Sequence, residues 1–185
     1  MRKLLTGLFA LLMLIGSSAG VMAAQDDEAT PADDTTAEAG EVNPRDPQIG
    51  DPVIYYSEEG DPVAQFTVTA VEAGWEGYDE YSEPPAGSQY VVVSMSVENL
   101  TERSTFEVSE YRFSVQDNLG YLYGSPYVSP EEDLDPPLIE SDISLEGEAV
   151  EEFSLVFLVY EDIGLNYLYY SDSGILLTLV DLSEI

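Results

Sequence analysis

The chain has 185 residues, with 37 Asp or Glu against 5 Lys or Arg and no histidine or cysteine. Two of the cations, Arg2 and Lys3, precede an uncharged apolar run, so the remainder sets Arg45, Arg103 and Arg112 against all 37 acids, a net of −34. That field repels nucleic acid and anionic lipid, and without His, Cys or Lys there is no Ser-His-Asp or Cys-His nucleophile, Schiff-base lysine or common zinc site.

The first element in chain order is the run "LLTGLFALLMLIG", followed by small residues up to "GVMAAQ". A basic start, an apolar stretch and a small-residue exit predict a secretory signal peptide over residues 1–24, cleaved near Ala23 or Ala24. An uncleaved anchor is the rival reading, since Leu4 to Ala24 carries no charge and a span needs ~20 residues; Gly16, Ser17, Ser18 and Gly20 weaken it. No cysteine ends the run, so bacterial lipid attachment is not expected, and no later run is apolar enough to span. The expected location is extracytoplasmic, either secreted or surface-associated.

Residues 25–47, "QDDEATPADDTTAEAGEVNPRDP", hold eight acids, one arginine and almost no large apolar side chain, which predicts a disordered acidic linker. As a flexible coil it would span on the order of 25 Å, and self-repulsion extends it.

From Gln48 to Ile185 the pattern is strand, turn, strand. "DPVIYY" begins with Pro52 and suits an edge strand. "VAQFTVTAVE" sets Phe66, Val68 and Ala70 against Gln65, Thr67 and Thr69. In "YVVVSMSVEN", Val91, Val93, Met95 and Val97 share one face, with Val92, Ser94, Ser96 and Glu98 opposite, as a strand's period of two requires. "YRFSVQ" and "YLYG", joined by Asp117-Asn118-Leu119-Gly120, read as a hairpin. "EEFSLVFLVY" carries Phe153, Leu155, Phe157 and Val159 on one face and Ser154 on the solvent side; "LNYLYY" and "GILLTLVDL" follow. About seven to nine short strands, with no helix of useful length, predict an all-β fold, an antiparallel sandwich in one domain over 48–185. Without disulfides it must stand on burial alone.

Taken together, Gly50-Asp51-Pro52, "FTVTAVE", "GSQYVVVSMSVENLT", "FSVQDNLGYLY" and "LEGEAVEEFSLVFLV" resemble the immunoglobulin-like domain of unknown function common in secreted bacterial proteins, related in fold to the immunoprotective extracellular antigen family. The resemblance covers about 48–185. It implies an exported, non-catalytic immunoglobulin-like sandwich and carries no agreed site residues to transfer.

Three features are candidates for chemistry. The loop "AGWEGYDEYSEPPAGSQ" places Trp75, Tyr78 and Tyr81 among four acids; such aromatics form a contact surface for a basic peptide, a sugar or another protein, or else Trp75 folds back onto the core. The segment "SPEEDLDPPLIESD" holds Glu131, Glu132, Asp133 and Asp135, with Glu140 and Asp142 beyond. Its oxygens suit calcium, while Ser129, Pro130 and Glu132 have the spacing of a capped helical turn. Asn99-Leu100-Thr101 matches a glycosylation sequon, a chance match in a bacterial-style export context. A carboxylate pair for glycoside cleavage needs two acids facing one cleft at ~5 to 9 Å, and nothing in the pattern selects such a pair.

The expectation is therefore an exported, non-enzymatic module that binds an extracellular protein, a glycan or a cell-envelope component, with no cofactor unless calcium. Its oligomeric state is not legible. The alternatives are a passive envelope protein with a salt-adapted surface and a calcium-dependent binding module. A concave acidic cluster beside Trp75 favours binding; a uniform acidic coat favours salt adaptation.

The exported form is expected to start at Ala24 or Gln25, and intact mass measurement checks this. A Met1-to-Ala23 segment retained in the membrane fraction would make the linker a membrane anchor instead.

Overall fold

The computed structural model describes residues 42–139 and 142–185; the predicted signal peptide and the linker up to residue 41 lie outside the described residues. The strands are β1 (Pro52–Tyr56), β2 (Pro62–Trp75), β3 (Ser88–Asn99), β4 (Phe106–Val108), β5 (Phe113–Asp117), β6 (Leu122–Tyr123), β7 (Ile143–Leu145), β8 (Val150–Tyr160), β9 (Leu165–Asp172) and β10 (Ile175–Asp181), with a 3₁₀ turn at Glu110–Arg112. One sheet has the order β1-β2-β3-β8, the second β10-β9-β5-β6, and β4 pairs with β7. All these pairs are antiparallel. Strands exceed the seven to nine expected because β4 and β7, three residues each, are too short to show alternation in sequence.

The two inner faces form one core. Val91, Val93, Met95 and Val97 of β3 are fully buried, as are Phe153, Leu155 and Phe157 of β8, so the predicted phase holds on that face. At the centre, Phe66 of β2 meets Tyr170 of β9 with ring centroids 4.6 Å apart, and Tyr170 contacts Phe113 at 5.2 Å and Tyr55 at 5.6 Å. Such tilted and edge-on pairs add about 0.5–1.5 kcal/mol each beyond burial. A polar clasp closes the same edge. Arg112 pairs with Asp172 at 2.9 Å and donates to the Tyr170 hydroxyl at 3.2 Å, while the Tyr55 hydroxyl donates to Asp172 at 3.0 Å. Burial, then the bond to Asp172, pushes the Tyr55 hydroxyl up to about 12.

Two buried polar side chains organise the turns. Asn99, fully buried, donates from Nδ2 towards the carbonyls of Ser104, Leu145 and Glu146, and its Oδ1 accepts from the N–H and hydroxyl of Thr101. The sequon residue is thus a structural hub with its amide enclosed. Gly147 is required nearby, because a Cβ there would collide with the Glu102 carbonyl. Asp117, at the β5–β6 hairpin, accepts from the N–H groups of Leu119 and Tyr121 and from the Tyr123 hydroxyl. Burial pushes its carboxyl up, but those donors outweigh it and hold it below the usual value. Folded-state depression favours the native state above the ordinary carboxylate range, and that contribution is lost as pH falls through the lowered value.

Sheet edges are managed by short pieces of chain. Asn43 acts as a one-residue partner to β1: its Nδ2 donates to the Ile54 carbonyl at 2.7 Å and its Oδ1 accepts the Ile54 N–H at 2.6 Å. The Pro47 carbonyl accepts the Asp181 N–H of β10 at 2.7 Å. Hydrogen bonding to the sandwich therefore reaches back to Asn43, into the segment assigned by composition to the linker.

The expectation that alternate residues of β3 and β8 face solvent fails over part of their length. Val92 and Val156 are buried in a second cluster with Trp75, Tyr90 and Val128. Ser154 is 1% exposed; its hydroxyl lies 3.0 Å from that of Ser94 and donates to the Pro136 carbonyl. The chain between β6 and β7 crosses this outer face and covers it. Phe157→Ala should cost about 3–5 kcal/mol through lost burial and a cavity. Ser154→Ala, neutral were it a surface residue, should cost about 1–3 kcal/mol by leaving buried polar groups unpaired. Denaturant midpoints of the two variants check both values.

Candidate functional site

Trp75 reaches the outer face because of a bulge. Val71 and Ala73 of β2 pair with Val93 and Val91, and the register shifts between Ala73 and Trp75, so that Trp75 pairs with Tyr90. Gly74 supplies the extra residue at φ +73°, a left-handed conformation that favours glycine. Uninterrupted alternation would have aimed Trp75 the same way as Val71 and Ala73. Instead the indole is 6% exposed and packs edge-on against Tyr78 and Tyr90, both at 6.1 Å.

The three predicted contact aromatics therefore do not form one exposed surface. Trp75 is buried, Tyr78 is half-buried 5.4 Å from Tyr90, and Tyr81 is 87% exposed, away from the other two in accessibility. Of the two readings of Trp75, the structure places it folded back, over the outer face of the first sheet.

The long loop and the acidic segment are joined to each other. Tyr78 bridges to Pro130, the Glu131 N–H donates to the Gly77 carbonyl at 2.8 Å, and the Asp79 N–H donates to the Ser129 carbonyl at 2.9 Å. The Ser129 N–H bonds the Ser82 hydroxyl at 3.0 Å. Hydrogen bonds from Ser82 first, and from Ser129 and two backbone N–H groups, hold the Asp79 carboxyl below its ordinary value. Because of these bonds the helical turn expected at Ser129–Pro130 does not form: the loop takes up the backbone groups that a cap would have used. The 3₁₀ turn lies instead at Glu110–Arg112, without a side-chain cap.

The junction leaves a cleft of about 360 Å³ lined by Trp75, Gly77, Glu131, Glu132, Asp133 and Leu134. It brings together Trp75 and three of the four candidate metal ligands; Asp135 lies outside its lining. The carboxylates of Glu131, Glu132 and Asp133 are exposed, and among the described residues no three such groups converge as a metal site would require. The cleft therefore offers diffuse negative charge over an apolar floor. Gly77 and Leu134 were not singled out by sequence. The signal for Gly77 is steric: a Cβ there would stand 2.7 Å from the Trp75 Nε1.

Residues 59–173, more than half of the chain, match the family described as a domain of unknown function, DUF4352. The chain belongs to this family. No curated protein matches it. Three solved structures share the fold. The secreted protein MPT63 from Mycobacterium tuberculosis has a TM-score of 0.54 at 13% identity, covering 77% of this chain and 99% of that one. The yjhA protein from Bacillus subtilis has a TM-score of 0.51 at 14% identity, covering 73% and 98%. A putative lipoprotein, ycdA, also from Bacillus subtilis, has a TM-score of 0.52 at 14% identity and covers 75% of this chain; the chain spans 40% of ycdA. The likeness to an immunoglobulin-like domain of unknown function, read from the motifs, thus agrees with the DUF4352 assignment and with a β-sandwich architecture.

Because the indole fills the space a Cβ would need, Gly77→Ala should displace it. A stability loss of about 1–3 kcal/mol and a red shift of the emission are expected, and the single tryptophan makes fluorescence a direct reading. Unchanged emission would mean that Gly77 does not hold the indole in place.

Proposed function

We propose that this DUF4352 chain is an exported, non-catalytic binding module whose acidic cleft beside Trp75 takes a cationic ligand, in the first instance a basic segment of an extracellular or envelope protein. The observation that carries the reading is the joining of two sequence-distant segments, which sets the consecutive acids Glu131, Glu132 and Asp133 beside Trp75 and Gly77 along one concavity. Diffuse negative charge over an aromatic and aliphatic floor attracts a Lys or Arg head and takes its stem by contact. The export signal in the sequence supports an extracytoplasmic location, and MPT63 and ycdA are described as a secreted protein and a putative lipoprotein. The linker would hold the sandwich away from its point of retention. Absence of His and Cys from the chain, and of lysine beyond Lys3, supports a non-enzymatic role.

A second reading, a salt-adapted surface without a discrete ligand, has an observation of its own. From Gln48 onward 29 acids face two arginines, a net of −27, and the ion pair among the described residues is Arg112–Asp172. Folding gathers these carboxylates, so monovalent salt should raise the melting temperature progressively as the screening length falls from about 8 Å at 0.15 M to about 3 Å at 1 M. That response is expected on either reading.

The deciding comparison uses two neutralised variants with equal charge change. Glu131→Gln/Glu132→Gln/Asp133→Asn should weaken oligolysine binding at least about tenfold, roughly 1.4 kcal/mol. Glu58→Gln/Glu59→Gln/Asp61→Asn, on the exposed β1–β2 turn, should change it little. Equal weakening by both would leave only the general field and favour the coat. A stabilising jump in sub-millimolar CaCl₂, absent with MgCl₂ and removed by Asp133→Asn or Asp135→Asn, would make the module calcium-dependent.

A further inference from the structure

β8 is the last strand of its sheet, and part of its outer edge has no backbone partner among the described residues. Its ladder with β3 runs from Ser88↔Tyr160 to Glu98↔Val150 without a register shift, so backbone groups turn alternately towards β3 and away. Ser154 turns away: its N–H donates to the Pro137 carbonyl at 2.7 Å, and its C=O accepts from Ile139 at 3.1 Å. Tyr160 also turns away, accepting from the Ile163 N–H at 3.5 Å. Val156 and Leu158, lying between them in the same phase, present N–H and C=O outward, and no backbone partner meets these groups among the described residues; Leu158 is half-buried, whereas Val156 is 3% exposed and is reached only through the cleft beside it.

Space exists beside them. A cleft of about 240 Å³ lies against Ser154, Leu155 and Val156, with Pro126 and Tyr127 on its other wall. Another of about 350 Å³ lies against Leu158, Val159 and Tyr160, with Tyr123 opposite. Exposed apolar side chains flank the edge: Tyr127 is 95% exposed, Tyr121 65%, Leu122 57% and Tyr160 55%. Apolar surface gathered in this way marks interaction sites. The edge already accepts one extended segment, since Leu138 bridges to Ser154 in parallel.

We propose that the β8 edge from Val156 to Tyr160 receives an extended, basic peptide segment of a partner protein, which adds to the sheet as a further strand. Backbone pairing to Val156 and Leu158 supplies hydrogen bonds, and the tyrosine-lined clefts take alternate apolar side chains, the division of labour of strand addition. Charge decides the occupant. Exposed Glu161 and Asp162 follow Tyr160 directly, and Glu83 stands two residues before Pro85, which lines the second cleft. A second copy of this chain would bring its own −27 to a strongly repulsive contact, whereas a lysine- or arginine-bearing strand is attracted. The clefts beside this edge share no lining residue with the Trp75 cleft, although Val156 packs in the same buried cluster as the indole.

The test uses the exported chain, isotopically labelled, with a short capped peptide of alternating lysine and valine. A twin peptide N-methylated at every second residue lacks the donors that strand pairing needs. The unmethylated peptide should slow hydrogen exchange at the Val156 and Leu158 amides, and the twin should bind about tenfold more weakly or worse. Tyr160→Ala, at an exposed position, should weaken binding severalfold with the melting temperature retained. Leu158→Pro removes an outward N–H while leaving the β3 ladder bonds, which alternate residues make, and should reproduce the tenfold loss. Equal binding of the methylated twin, shifts centred on Trp75 and Glu131–Asp133 with silent edge amides, or absence of binding would each overturn the proposal. So would edge-amide protection that grows with protein concentration in the absence of peptide, because the occupant would then be a second copy.

Discussion

The contact on which the rest depends is the burial of Tyr170 among Phe66, Phe113, Phe106 and Tyr55. These rings come from both sheets and from β4, and they hold together a domain of net charge −27 that has no disulfide. Carboxylate repulsion favours expansion, so the opposing term must come from apolar area removed from water, and large aromatic side chains supply most of it per residue. The charges stay outside this region. Where one must approach, at Asp172, it is met by Arg112 and by the Tyr55 hydroxyl, so Arg112 offsets an acid beside the core. Removing Arg112 would leave that acid facing two tyrosines.

A second constraint is that loops must satisfy their own backbone while crossing a surface with little apolar cover. Asn99 and Asp117 do this in opposite senses. The Asn99 amide gathers carbonyls from two chain segments, and the Asp117 carboxylate gathers donors from one hairpin. Among the described residues no buried side-chain polar atom is left without a partner. The loop after β2 and the segment after β6 satisfy backbone groups on each other, through Glu131 to Gly77, Asp79 to Ser129 and Ser129 to Ser82, and the candidate cleft is made between them.

Both proposed surfaces arise from the path of one connection. The chain between β6 and β7 leaves the second sheet, crosses the edge of β8, covers Val92 and Val156, and returns to pair at Ser154. Where it lies over the outer face it forms the acidic cleft with Gly77 and Trp75. Beside Val156 and Leu158 it makes no backbone bond to β8. The clefts beside Trp75 and β8 are lined in part by irregular connections, where a binding function can reside.

The sequence by itself determined the all-β class, the inward phase of β3 and β8, the β5–β6 hairpin and the charge, because each depends on neighbours within a few residues: a period of two, Asp-Asn-Leu-Gly turn chemistry, a count of carboxylates. Tertiary structure decided the rest. Which face Trp75 took turned on a bulge at Gly74, which carries the strand's last side chain to the outer face, and its burial there turned on Tyr78 and Tyr90; neither leaves a mark in composition. Ser154 read as a surface residue because alternation reports only which face a side chain takes, and a distant segment covers that face. Ser129 had the spacing of a helix cap, yet its backbone groups went to Asp79 and to the Ser82 hydroxyl, and that competition between local and long-range hydrogen bonds is settled only when the two segments meet.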